Sequence, residues 1–237
     1  MAQSLYTDGE YLARVPDWHV EEAPWKAQQV LRMLQLHHLA PHTIAEVGCG
    51  TGEILRQLQS RLPGDSEFEG YDISPQAYAL ALPRANSRLH FHLGDVLQDA
   101  EAHFDLLLVM DVIEHLEDYY TFLRGLRAKA PAVILHIPLD LSAQTVLRSH
   151  GLQHTRDAYG HLHAFTKDWA LRVLRETGYE VDDWFYTSGS LEMPTRVWTR
   201  RLMRWPRWVM FRLRPDFAVR LLGGFRLLVL AHDAQAA

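Results

Sequence analysis

The chain has 237 residues, a size that suits one α/β domain with additions. Apolar residues make up 48% and charged residues 22%, which excludes global disorder, and a net charge of −5 gives no overall case for a nucleic-acid partner. One cysteine, Cys49, excludes disulfides and thiolate zinc sites within the chain and fits a reducing cytoplasm.

The first ten residues have neither a basic start nor an apolar run, so no secretory signal is expected. No stretch approaches the roughly 18 uncharged apolar residues of a membrane span. The location expected is cytoplasmic, with peripheral membrane contact left open. The first helical pattern covers 24–38, and Glu21, Glu22 and Pro24 stand where a helix N-terminus favours acids and proline. From Thr43 onward apolar runs alternate with helical patterns, which signals βαβ units and a mostly parallel sheet. Strands are expected at 43–47, 68–73, 89–93, 104–110, 132–137, 180–186 and 225–230. Helices are expected at 52–62, 75–82, 117–128 and 167–177, the last with Thr166 as N-cap and Gly178 just past its end.

Segment 193–215 breaks the alternation. It carries seven arginines, no acids, and Trp198, Trp205, Trp208 and Phe211. It reads as an insertion, at about 188–222, between the sixth and seventh strands. Arg196, Arg200, Arg204 and Arg207 fall on one helical face, and Trp198, Leu202, Trp205 and Val209 on another. Pro206 should kink this helix or start a second one. Three readings stand: an anionic membrane surface, an anionic substrate such as RNA or a phosphorylated glycan lipid, or a cap that packs its apolar face on the sheet and leaves its arginines in water.

The strongest motif is Ala45-Glu46-Val47-Gly48-Cys49-Gly50-Thr51-Gly52-Glu53, which follows the first strand and opens a helix. Glycines there let the chain turn tightly and let a ligand approach bare backbone. Asp72, followed by Ile73, ends the second strand, where an acid can accept hydrogen bonds from ribose hydroxyls. Asp95 and Val96 follow the third strand. A nicotinamide dinucleotide is the competing ligand, but its fingerprint needs Gly or Ala where Glu53 stands, and Glu53 would repel a pyrophosphate. S-adenosylmethionine carries an ammonium and a sulfonium and no phosphate, so the acids favour it.

On these residues the chain resembles the class I S-adenosylmethionine-dependent methyltransferases, from about Thr43 to Gly178 and again at the last strand. The resemblance implies a Rossmann-like seven-stranded α/β sheet, mostly parallel with the last strand antiparallel, and helices on both faces. It implies that Glu46, Gly48, Cys49, Gly50 and Gly52 hold the methionine part of the cofactor, that Asp72 and Ile73 hold the ribose, and that Asp95 and Val96 contact the adenine. Residues 1–42 are then lid helices in front of a domain spanning 43–237, and Trp18, His19, Trp25 and Lys26 either shield the sulfonium or simply pack.

Asp111, Glu114 and His115 follow the fourth strand at spacings that one helical turn would present together. In the family this segment lies beside the sulfonium and the acceptor, with Asp111 on the cofactor. His163 lies in Tyr159-Gly160-His161-Leu162-His163, before the helix at 167–177. Glu114, His115 and His163 are the candidate catalytic residues. Three readings remain: His115 or His163 is a general base; the carboxylates and imidazoles hold a divalent metal; or Glu114 and His115 cap a helix and touch only the cofactor. The metal pattern is similar to that of ubiquinone-pathway O-methyltransferases and small-RNA 2′-O-methyltransferases, although Asp111 stands where those show glutamate. His136 is either a site residue or a hydrogen-bonded core histidine, and Cys49 is expected only to pack.

The expected activity is methylation of an oxygen on a small-molecule, lipid or glycan acceptor, because the Asn/Asp-Pro-Pro-Tyr/Phe motif of amino-methylating relatives is missing. The alternatives are a metal-dependent RNA 2′-O-methyltransferase and a non-catalytic cofactor-binding module.

Overall fold

The computed structural model describes residues 20–193 and 198–235. Helix α1 (Ala23–Leu36) precedes strand β1 (Thr43–Val47). Then come α2 (Glu53–Gln59), β2 (Glu67–Asp72), α3 (Pro75–Ala81), β3 (Leu89–Leu93), β4 (Leu106–Met110), α4 (Tyr119–Leu126) and β5 (Ala132–Pro138). The second half holds α5 (Ala143–Leu147), α6 (Gly151–Tyr159), α7 (Lys167–Glu176), β6 (Tyr179–Thr187), α8 (Gly189–Glu192), α9 (Trp198–Leu213), α10 (Pro215–Leu222) and β7 (Arg226–Asp233).

The strands form one seven-stranded sheet in the order β3-β2-β1-β4-β5-β7-β6. β1 to β5 pair in parallel, and β7 runs antiparallel between β5 and β6. Because side chains alternate along a strand, each one feeds two apolar layers. Ile44, Leu106, Leu108 and Ile134 pack with α1 and α2 on one face, while Ala45, Leu107, Val109 and Leu135 pack with α4 and α7 on the other. β4 is buried at every position, as a central parallel strand covered on both faces must be. The strand order reverses between β1 and β4, and there the carboxyl ends of the strands open a crevice.

The seven strands and five helices expected from the pattern are all present, with ends shifted by a few residues. Thr166 caps α7 by accepting a bond from the Trp169 N–H, and Gly178 follows it at φ +94°. One feature differs from expectation, and two open readings are narrowed. α5 and α6 lie where no helix was expected. Pro206 lies inside α9 and starts no second helix; the next helix begins at Pro215. On α9, Arg204 and Arg207 turn towards the body while Trp198, Leu202 and Trp205 are exposed, the reverse of a cap packed by its apolar side. Trp18, His19 and Arg196 lie outside the described residues. No helix among the described residues is long and apolar enough to cross a membrane.

Candidate active site

The crevice widens into a cavity of about 1380 Å³, lined by the carboxyl ends of β1, β2 and β4, the loop after β3, α1, the loop after β5, and α9 and α10. Single-ligand pockets run to roughly 300–1,000 Å³, so this one has room for two molecules side by side.

Its inner half is built from the glycine turn. Gly48, Gly50 and Gly52 all have positive φ, at +69°, +56° and +71°. A side chain at Gly52 would also meet the Phe91 ring at 2.3 Å. Asp72 fastens this turn to the next strand, accepting the Gly50 N–H at 2.8 Å on one oxygen and the Ser74 N–H at 2.8 Å on the other. Burial pushes its carboxyl up, against those two bonds. Asp95 accepts the Leu97 N–H at 2.9 Å. Asp95, Ile73 and Leu97 line the cavity, whereas the Val96 side chain is fully buried in the core and only its backbone is left for an adenine.

Glu46 is buried at the end of β1 and lines the cavity, and its Oε2 has no hydrogen-bond partner among the described residues. Burial raises its carboxyl well above the usual range, Lys26 opposes this and Asp72 adds to it. Cys49 is buried, and burial together with Asp72 and Glu46 pushes its thiol up, so it packs and is no nucleophile. Glu53 corrects an argument made from sequence. Its carboxylate is held by Arg56 at 2.6 Å and Arg84 at 2.9 Å, with its pKa down to about 2 chiefly through the Arg56 bond. Its charge is already answered, so repulsion of a pyrophosphate is weaker than its identity suggests.

Asp111 does not join Glu114 and His115. Only a short 3-10 turn, Ile113–His115, follows β4, and Asp111 sits before it in the left-handed region at φ +59°. Its carboxylate faces the seam between α1 and the sheet. Lys26 Nζ lies 2.8 Å from Oδ2 and His136 Nδ1 lies 2.7 Å from Oδ1. Arg226 binds Glu22 at 2.9 Å, and Glu22 stands 3.8 Å from Lys26. Burial alone would raise the Asp111 carboxyl, but His136, Lys26 and Arg226 hold it well below the usual range. Burial in turn lowers His136, which is fully enclosed and also bonded to Thr187 Oγ1 at 2.9 Å. His136 is therefore a core histidine. Trp25 is pinned by Glu192 at 2.8 Å, and α1 is locked onto the sheet edge.

Glu114 is fully buried and neither carboxylate oxygen has a hydrogen-bond partner among the described residues. Burial, Asp111 and Asp140 all raise its carboxyl. One ligand atom each from Glu114, His115 and His161 lie within 4.8 Å of one another. His161 Nδ1 is 2.5 Å from Asp140 Oδ2, and His115 Nδ1 is 3.3 Å from the Gly160 carbonyl. A bond to that carbonyl requires the proton on Nδ1 and puts the His115 lone pair on Nε2, 3.8 Å from Glu114. Burial, with His161 second, brings the His115 pKa down to about 4, so the ring is neutral at pH 7.

His163 lies outside the site. Its Nε2 is 2.9 Å from the Leu116 carbonyl, its ring packs edge-on against Tyr119, and it does not line the cavity. His161 takes the place expected for it. A two-residue spacing shares a face only in a strand, and this segment is none: the N–H groups of Leu162 and His163 both donate to the Glu114 carbonyl, at 2.7 and 3.1 Å. Asp140 and His161 were missed in the sequence because their pairing spans 21 residues of irregular chain; the tight Pro138-Leu139-Asp140 end of β5 was the one available signal.

Residues 45–130, which hold the glycine turn, Asp72, Asp95 and the Glu114–His115 pair, match the family model described as a methyltransferase domain. Over that stretch the chain is similar to methyltransferase domains. Ajmaline N-methyltransferase of Rauvolfia serpentina is 27% identical over 184 residues, covering 68% of this chain and 56% of that protein. This chain thus spans little more than half the length of that curated relative. Magnesium protoporphyrin IX methyltransferase from Synechocystis PCC 6803, solved with S-adenosylhomocysteine, superposes with a TM-score of 0.59 at 16% identity over 89% of this chain and 83% of that one. The plantazolicin methyltransferase BpumL, also with S-adenosylhomocysteine, gives 0.64 at 15% identity over 98% and 93%. At such identities these structures show the methyltransferase fold.

Proposed function

We propose that this chain transfers the methyl group of S-adenosylmethionine to an oxygen of an anionic small-molecule, lipid or glycan acceptor. The observation that carries the cofactor is Glu46, a buried acid with an unpartnered oxygen beside the glycine turn. Burying such a group is costly unless a cation answers it, and the ammonium of this cofactor does so where a dinucleotide phosphate would not. Glu46 and the Gly48–Gly52 backbone hold the methionine part, Asp72 and Ile73 the ribose, and Asp95 with the backbone of Val96 the adenine.

The outer half of the cavity would hold the acceptor. Arg148 and Arg207 line it, and Arg207 donates to the Leu222 and Gly223 carbonyls. Burial, and after it Arg148, lower the Arg207 guanidinium, and an anionic acceptor group would offset both. The acceptor hydroxyl attacks the methyl carbon as the carbon–sulfur bond breaks. S-adenosylmethionine bound there would supply the methyl group and leave as its neutral thioether, and His115 Nε2 would take the hydroxyl proton. Neutral His115 can take that proton, and positioning supplies most of the remaining rate.

A second reading, in which a divalent cation assists, is favoured by Glu114, His115 and His161. They fit the group: an orphaned buried carboxylate, two imidazoles, and Asp140 behind His161 in the carboxylate–histidine arrangement common at metal sites. An ion held there would acidify a hydroxyl bound to it. Asp111 and His163 are not in this set.

Titration calorimetry tests the main proposal. Heat with S-adenosylhomocysteine and none with a nicotinamide dinucleotide is expected, and the reverse result overturns it. A product methylated at nitrogen would overturn the choice of oxygen. Titration with manganese tests the second reading: binding that His161→Ala abolishes and His163→Ala leaves intact supports it, and no binding removes it.

A further inference from the structure

Helix α9 is amphipathic and is mounted with its apolar side outward. Arg204, Arg207 and Phe211 form its inner face. Arg204 donates to the Leu191 carbonyl, Arg207 donates to the Gly223 carbonyl at 2.6 Å, and Phe211 stacks on Phe225 at 5.1 Å. On the opposite face, Trp198, Leu202, Trp205 and Leu213 are 71%, 63%, 72% and 77% exposed. They fall within one narrow helical stripe, because steps of three, four, seven and eight return to the same side. Isolated exposed apolar side chains are ordinary, but a stripe with two tryptophans on one helix marks an interaction surface.

Charge selects the partner. Arg201 and Arg212 flank the stripe and are exposed, and no acid occurs between Met193 and Pro215. A second copy of the chain meeting this face about a two-fold axis would set arginines against arginines. Tryptophans bordered by arginines match the headgroup layer of an anionic bilayer, where the indole is half in hydrocarbon and the guanidinium reaches phosphate. We propose that α9 docks the protein on an anionic lipid surface, lying flat in the headgroup region with Trp198, Leu202, Trp205 and Leu213 inserted.

The inference stands on the exposure and charge of one helix and is independent of the reaction. It does bear on how the acceptor arrives. Met203 and Arg207 of α9, and Leu222 at the end of α10, line the cavity, so docking would set its outer half beside the bilayer. α5, at the same rim, also exposes Val146 and Leu147.

Co-sedimentation of the full chain with vesicles tests this, comparing phosphatidylcholine alone with phosphatidylcholine containing phosphatidylglycerol. Binding to the anionic vesicles with a blue shift of tryptophan fluorescence is expected. Trp205→Glu and Leu202→Glu should each weaken it at least about tenfold. Arg201→Gln and Arg212→Gln should each weaken it roughly fivefold, and only on the anionic vesicles. Unchanged S-adenosylhomocysteine affinity and circular dichroism would show that the variants fold. No binding to anionic vesicles at low salt overturns the proposal. So does equal binding by Trp205→Glu, a dimer that the same substitution dissolves, or binding of single-stranded RNA in place of vesicles.

Discussion

The two halves of the cavity satisfy their charged groups in opposite ways. On the cofactor side Asp72 accepts backbone N–H groups from its own turn and from the turn after β1, Asp95 accepts one from its own turn, and Glu53 is bound by Arg56 within α2 and by Arg84 just past α3. On the acceptor side the partners are side chains of other elements or are missing: Asp111 reaches Lys26, His136 and Arg226, His161 reaches Asp140, and the Glu114 carboxylate has no hydrogen-bond partner among the described residues. A site held mainly by backbone N–H groups of its turns asks little of other side chains. A site held by distant side chains depends on the whole fold and keeps groups in reserve for a ligand.

The largest effect that would sharpen this contrast lies in the cofactor half. Gly52→Ala puts a Cβ 2.3 Å from the Phe91 ring at a backbone angle that L-residues avoid. Strain and overpacking together should cost about 2–5 kcal/mol. A lower urea midpoint and loss of S-adenosylhomocysteine binding are expected, and wild-type affinity would show that the turn has slack that the structure denies.

Lys26→Met probes the seam between the halves. Removing one partner of a buried pair costs about 3 kcal/mol, because the remaining charge is left unanswered. Asp111 has a depressed pKa, so the stability it contributes is present above the usual aspartate range and is lost as pH falls through the depressed value. With Lys26 gone that contribution shrinks, and the variant should unfold more readily at pH 7 while gaining on the wild type in acid. Equal denaturation curves at pH 7 would mean that Arg226 and His136 hold Asp111 without help.

The same contrast explains what could be read in advance. The glycine turn, Asp72 and Asp95 lie within a few residues of strands with clear apolar runs, so their positions followed from the pattern. Asp111 was grouped with Glu114 by helical spacing, but the chain makes only a 3-10 turn there, and tertiary ion pairs pull Asp111 towards α1. His163 and His161 looked alike in sequence; their roles were separated by a turn around the Glu114 carbonyl, which no periodicity announces. The amphipathicity of α9 was legible, but its direction was not, since an arginine can serve as a carbonyl cap inside as readily as a solvated charge outside.

In the acceptor half, His115→Ala should lower turnover about 100-fold through loss of the proton acceptor, with S-adenosylhomocysteine affinity unchanged. His163→Ala should leave turnover within about fivefold and lower stability instead, since its ring packs on Tyr119 and its bond goes to Leu116. Measured together, the pair separates a residue beside the reacting atoms from one that only shapes the loop. The reverse ranking would return His163 to the site.

The smallest effect concerns Glu114, and it asks whether the acceptor half is held in reserve for a cation. Its carboxyl is raised by burial and by the acids near it. A group whose folded pKa is raised adds stability below its unfolded pKa, and that stability is lost as pH rises through the folded value. The ligand-free protein should therefore lose stability above the usual glutamate range as Glu114 is forced to ionise in a dry site. Glu114→Gln removes the ionisation and should flatten that decline, which urea midpoints at pH 5 and pH 8 would show. Glu46 contributes to the same slope from the cofactor half, and S-adenosylhomocysteine, which brings an ammonium to Glu46 and no sulfonium to Glu114, would cancel the Glu46 share alone. If the slope persists in Glu114→Gln and vanishes with that ligand, the strain lies on the cofactor side and the contrast between the halves fails.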